Sequence, residues 1–224
     1  MTLIEDRPDG RLQRGVSAGT RAQLLLVALL AAGGVWLTFR VLVASARGQR
    51  LDQAVMVESM QAAPAEVSRL QHLLDIVSVP SIAMALGVFT VVAVRRARPD
   101  LAVGAAVTVI GANVTTQLLK VLLERPDIGL GANNSFPSGH VTVVSSLAAA
   151  AFLVTPRRVQ PVVAAAGLLA AAVAAVGTLA LGWHRPSDIA GAGLVVLGWA
   201  AAVSAVLPGR CADRDGVSRR TVVA

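Results

Sequence analysis

The sequence contains no tyrosine, a single cysteine, and aromatic side chains at only 3% of its 224 residues. Each scarcity closes a class of function. Proteins that hold nucleic-acid strands interleave stacking aromatic rings with basic side chains, so the formal net charge of +7 needs another explanation here. Cys211 stands alone in the polar C-terminal tail, which leaves neither a disulfide framework nor a thiolate metal site. Charged residues are sparse too, at 15% against about 25% in soluble domains. Hydrocarbon fills the space: 55% of residues are hydrophobic and the mean hydropathy is +0.68. A chain of this size and balance is a membrane protein, with the lipid bilayer and not nucleic acid as its first partner.

Apolar runs punctuated by short arginine clusters predict an all-α integral membrane protein, a bundle of six transmembrane helices over residues 22–43, 76–94, 101–123, 140–154, 162–181 and 189–207. The span-bearing domain is therefore 22–207, between polar tails at 1–21 and 208–224 that read as disordered. The connection 44–75 is the longest. Its second half spaces Val67, Leu70, Leu73, Leu74 and Val77 as a surface-lying amphipathic helix would. Gly191, Gly193 and Gly198 in the last span are expected to admit neighbouring backbones closely. Of the twenty Lys and Arg residues, thirteen fall on the side shared by the two tails and the connections after spans two and four. By the positive-inside rule, both termini are cytoplasmic and the other connections face outward.

Three polar clusters then meet at the outer face. In the third span Asn113, Thr116 or Gln117, and Lys120 recur at helical spacing, a polar stripe that turns into the bundle and leads to Arg125. The segment 133–140 is a turn opening onto an apolar helix. Pro137 in its first turn, followed by Ser138 and Gly139, leaves helix-end amides accessible to an anion, and His140 stands beside them. In the connection before the last span, His184 and Asp188 are four residues apart; if that helix begins near Arg185, the carboxylate can accept the second ring N–H and fix the tautomer. Cations, helix-end amides and two histidines at one depth describe a site for a phosphoryl group, with a nucleophile and an acid/base to move it.

These residues resemble the signature of the type 2 phosphatidic acid phosphatase superfamily: a lysine followed by Arg-Pro, then Pro-Ser-Gly-His, then Ser-Arg leading to His-x-x-x-Asp. Lys120 with Arg125-Pro126 stands for the first, Pro137-Ser138-Gly139-His140 for the second, and His184 with Asp188 for the third. The resemblance covers about residues 76–207. It implies that His184 attacks phosphorus to give a phosphohistidine, that His140 protonates the leaving oxygen and then activates water, and that Lys120, Arg125, Ser138 and Gly139 hold the phosphate oxygens. Two departures stand out. Four residues instead of six separate Lys120 from Arg125-Pro126, which puts Asp127 where the family has its arginine, and Gly177-Thr178 replaces Ser-Arg. Arg125 and Arg185 are the cations that could stand in.

The resulting expectation is a metal-independent, cofactor-free phosphatase acting on a phosphorylated membrane lipid, with a polyprenyl diphosphate carrier preferred because the active face is outward. The alternatives are a lipid phosphotransferase using the same histidine chemistry and a catalytically silent membrane scaffold. No cluster of carboxylates and histidines stands at metal-ligand spacing. His72 with Asp75 reads as a solvated helix face, Asn113 as a helix-packing group, and Trp183 and Trp199 as interface or packing aromatics.

Overall fold

The computed structural model describes residues 17–62, 71–72, 74–75, 79–129 and 134–207. Among them are seven α-helices and no strand: α1 (Ala18–Thr38), α2 (Ala46–Ala62), α3 (Val79–Arg95), α4 (Pro99–Leu122), α5 (Gly139–Val154), α6 (Gln160–Ala180) and α7 (Pro186–Val206). A π-helical turn, Phe39–Val43, extends α1. Among the described residues, four segments are long and apolar enough to cross a bilayer: Ala18–Val43, Pro99–Leu122, Gln160–Ala180 and Pro186–Val206. They fit a multi-pass membrane protein. The expected second and fourth spans, α3 and α5, are apolar but have only 17 and 16 residues, short of the roughly 20 that a spanning helix uses.

The first span starts earlier than its hydropathy suggests. Ser17 caps it, its hydroxyl accepting from the Thr20 amide at 3.2 Å, so residues expected in a disordered tail are helical. Arg21, four residues into α1, reaches the far end of α7, where its Nε donates to the Ala205 carbonyl at 3.0 Å. Arg96 does the same for α5, with Nη1 2.6 Å from the Val154 carbonyl. A helix end leaves carbonyls unsatisfied, and both arginines answer that need at the end of the bundle opposite the starts of α5 and α7.

Helices α4, α5 and α7 pack on one another, and α1, α3 and α6 flank them on α7, α4 and α5 respectively. Side-chain hydrogen bonds fix the α4–α5 register: Asn113 to Ser146 at 3.3 Å and Thr116 to Thr142 at 3.0 Å. Of the two candidates for the middle of the polar stripe, Thr116 is buried and Gln117 is exposed. Trp199 joins α7 to α4 through its indole N–H, 3.0 Å from the Thr115 hydroxyl, over Gly111, where a Cβ would lie 2.7 Å from the indole ring.

The glycines of α7 behave differently from one another. A Cβ at Gly191 would stand 2.5 Å from the fully buried Phe136 ring, and one at Gly198 would make ordinary contact with α1. Gly193 faces open space and admits no neighbour, contrary to expectation. Phe136 also stacks on Phe39 at 6.0 Å, which clamps the polar segment before α5 between α7 and the π-turn. A Gly191→Ala protein is therefore expected to lose about 1–3 kcal/mol through overpacking, read as a lower thermal midpoint in detergent, whereas Gly193→Ala should leave the midpoint unchanged or raise it.

The largest departure lies in the connection 44–75. Its second half is mostly outside the described residues, although Leu74 is buried and His72 and Asp75 are exposed as expected. Its first half forms α2, whose polarity is inverted for a surface helix. Gln49 and Asp52 are buried against the protein while Leu51, Val55 and Met60 are exposed. A face of hydrogen-bonding side chains is buried only where partners await it; here the partners belong to the site.

Candidate active site

The three clusters predicted from sequence come together at the α2 end of the bundle, and Asp188 ties them. Its side chain is fully buried. Oδ1 accepts from Arg125 Nη2 at 2.8 Å. Oδ2 accepts from the Ser135 hydroxyl and from the Arg185 amide at 2.9 Å, and faces His184 Nδ1 at 3.4 Å. Its backbone carbonyl accepts from the Ser138 amide at 2.9 Å. A buried carboxylate needs such partners to stay ionised. Helix α7 does begin at Pro186, so the four-residue spacing places His184 over the first turn as anticipated.

The imidazoles of His140 and His184 lie 6.3 Å apart between ring centroids, edge to face. Reacting atoms in a productive complex approach to about 3–3.5 Å, and at this separation both rings are near enough to serve one phosphoryl group. His184 is 7% exposed, and with Nδ1 turned to Asp188 its Nε2 is the nitrogen left for chemistry. Trp183, expected to be a membrane-interface or packing residue, does pack, and its ring also lies beside His140 at 5.3 Å. Leu74, Val141, Ala174 and Ala192 form an apolar cluster against Trp183.

The segment entering α5 departs from expectation in one detail. The helix starts at Gly139 with Ser138 as its N-cap, so Pro137 precedes the helix and is not in its first turn. Serine takes the cap because its oxygen can accept from the helix amides; the Ser138 hydroxyl is 3.4 Å from the Val141 N–H. The Gly139 and His140 amides, early in the helix, have no intrahelical acceptor. Lys120 completes this corner: a Cβ on Gly139 would lie 3.9 Å from its Nζ, so the ammonium stands over the start of α5.

Arg125 is the less expected element. Its side chain is wholly buried, yet among the described residues Nε and Nη1 find no hydrogen-bond acceptor; Asp52 Oδ2 lies 3.9 Å from Nη1. Burial pulls the guanidinium's pKa below its ordinary value, while Asp188 and Asp52 pull the other way. Unanswered donors on a buried cation point to an anion that would complete the shell. Arg185, the other stand-in, has its Nε bonded to Gln53 of α2 at 2.8 Å. Asp127, at the family's arginine position, is exposed and closes a local turn on the Gly129 amide at 2.8 Å.

Sequence reasoning missed several supporting residues. Asn134 donates to the Lys120 and Leu123 carbonyls, 2.6 Å each, and so moors the α5 entry segment to the end of α4. Ser135 bonds Asp188. Gln49, Asp52 and Gln53 of α2 contact the loops carrying Arg125 and Arg185. The available signal was their spacing, three polar side chains at i, i+3 and i+4 on a segment that also carries exposed hydrophobics.

These features define a helical membrane protein with a cationic, two-histidine site at one end of its bundle. The family model of the PAP2 superfamily matches residues 73–210, and the chain belongs to that superfamily. No curated protein and no solved structure matches the chain.

Proposed function

We propose that the protein is a membrane lipid phosphate or diphosphate phosphatase working through a phosphohistidine. The observation that carries this reading is the pair of imidazoles brought within 6.3 Å of each other, one beside Asp188 and the other next to Lys120 and the start of α5. In the first step Nε2 of His184 attacks phosphorus in line, the bond from phosphorus to the leaving oxygen breaks, and His140 gives that oxygen a proton. In the second, water attacks phosphorus, His140 accepts its proton, and the phosphorus–nitrogen bond breaks to release phosphate. Lys120, Arg125 and the Gly139 amide stabilise the three equatorial oxygens, with Ser138 holding the helix start.

All six apolar helices cross the membrane in this proposal, the short α3 and α5 among them, both termini are cytoplasmic and the site opens outward, as the arginine distribution predicts. A substrate headgroup then meets the site at the interface while its tail stays in the bilayer, and a polyprenyl diphosphate carrier is the favoured substrate. The chemistry needs no metal. Purified protein assayed against phosphatidic acid, phosphatidylglycerol phosphate and polyprenyl diphosphates should release phosphate. Orthovanadate, a trigonal-bipyramidal mimic of the transition state, should inhibit at micromolar concentration, and a chelator should leave the rate unchanged. Insensitivity to vanadate together with loss of activity in chelator would exclude the scheme. Product analysis with an added acceptor lipid distinguishes hydrolysis from phosphoryl transfer.

A further inference from the structure

Helix α2 lies outside the residues that match the superfamily model, yet it is bonded to two of the segments that build the site. Gln49 Nε2 donates to the Pro126 carbonyl at 2.8 Å, next to Arg125. Gln53 accepts from Arg185 Nε. Between them Asp52, 3% exposed, accepts from the Ser187 amide at 2.8 Å through Oδ1 and from the Ser187 hydroxyl through Oδ2. Ser187 is the second residue of α7, between the N-cap Arg185 and Asp188, whose carboxylate accepts from the Arg185 amide. That bond is local, but the acceptor for the Ser187 amide comes from a carboxylate 135 positions away in sequence.

We propose that Asp52 is a positioning residue of this site: its two bonds to Ser187 fasten the first turn of α7, and so set where Asp188 holds His184. The inference rests on the phosphatase reading above. A cap alone is worth about 1 kcal/mol, and an uncharged side chain could provide it without the cost of burying a carboxylate. The location explains why a strong acceptor stands there. The first turn of α7 carries the residue that bonds Arg125, Ser135 and His184 together, so a small shift at Ser187 displaces all three. Burial pushes the Asp52 carboxyl above its ordinary pKa, opposed by the Ser187 bonds, and an amide at this position would keep both contacts, accepting from the Ser187 amide and donating to its hydroxyl.

The test uses full-length protein in dodecyl maltoside micelles, with dioctanoyl phosphatidic acid and farnesyl diphosphate as substrates and rates expressed per folded protein. Asp52→Ala should lower kcat by about 10- to 100-fold, the scale of a displacement near 1 Å, with KM changed less than about threefold. Asp52→Asn should restore kcat to within about threefold because it keeps the cap. In Asp52→Ala, histidine-selective 15N spectra should show His184 losing its single tautomer; a mere loss of folded protein would leave the spectrum of the remaining fraction unaltered. If Asp52→Ala does not fold, Asp52→Ser, one bond too short to reach the Ser187 amide, is read in its place. Wild-type kcat in the shortened variants, or failure of Asp52→Asn to recover, overturns the proposal. His184→Ala separates the levels. If the wild type is active, His184→Ala is dead and Asp52→Ala is normal, only the role of Asp52 falls; an inactive wild type takes the phosphatase reading with it.

Discussion

A His184→Ala protein is expected to fold, insert and release no phosphate, with kcat reduced by at least about 10⁴-fold, the scale set by removing a covalent nucleophile. The geometry allows a clean separation of chemistry from stability. His184 contributes one ring contact to Asp188, at 3.4 Å, while Asp188 keeps Arg125, Ser135 and the Arg185 amide. Loss of one long hydrogen bond costs about 1 kcal/mol, too little to unfold the bundle. His140→Ala should be less severe, about 10²–10⁴-fold, because it removes proton transfer and leaves the nucleophile. Rapid quench of the wild type should trap an acid-labile, base-stable phosphoprotein that is absent from His184→Ala and accumulates in His140→Ala when breakdown becomes slow. Equal turnover by wild type and His184→Ala would end the proposed chemistry.

How much of this was legible beforehand depends on the range of the interaction. The apolar helices followed from apolar length, although α1 starts earlier and the polar α2 was not foreseen, and the convergence of Lys120, His140 and His184 followed from counting helices, because an odd number between two motifs would have placed them at opposite ends of the bundle. The i, i+4 pairing of His184 with Asp188 is local, and a helix start at Pro186 was enough to fix it. Interactions between distant segments were not readable. Asp52 is one of four acidic residues in the connection 44–75, and its spacing with Gln49 and Gln53 marks a polar helix face without naming a partner; only the folded path of α2 brings it to Ser187. Trp183 packs as expected, against an apolar cluster, but its contact with His140 depends on how α5 and α6 pack and was not readable. Pro137 was placed inside the helix because proline favours the first turn, but Ser138 one residue later is the better cap and won the position.

The second large effect is expected at Asp188. Asp188→Asn is nearly isosteric and can still accept from the Arg185 amide, but it no longer balances Arg125, whose buried guanidinium then keeps only Asp52 at 3.9 Å. Removing one partner of a buried ion pair costs about 3–5 kcal/mol, so the thermal midpoint should fall. The amide also offers His184 Nδ1 a donor or a weaker acceptor in place of a carboxylate, and the imidazole is free to place its proton on Nε2, the nitrogen that must attack. A misassigned tautomer in a comparable carboxylate–histidine pair costs about 10⁴-fold in kcat, and a loss of about 10³–10⁴-fold is expected here. The two consequences can be uncoupled. Neutralising both partners in Arg125→Gln/Asp188→Asn removes the stranded charge, so the midpoint should recover most of its loss while kcat stays low. Were activity to return along with stability, Asp188 would be a structural counter-ion to Arg125, and the orientation of the His184 ring would have to come from elsewhere.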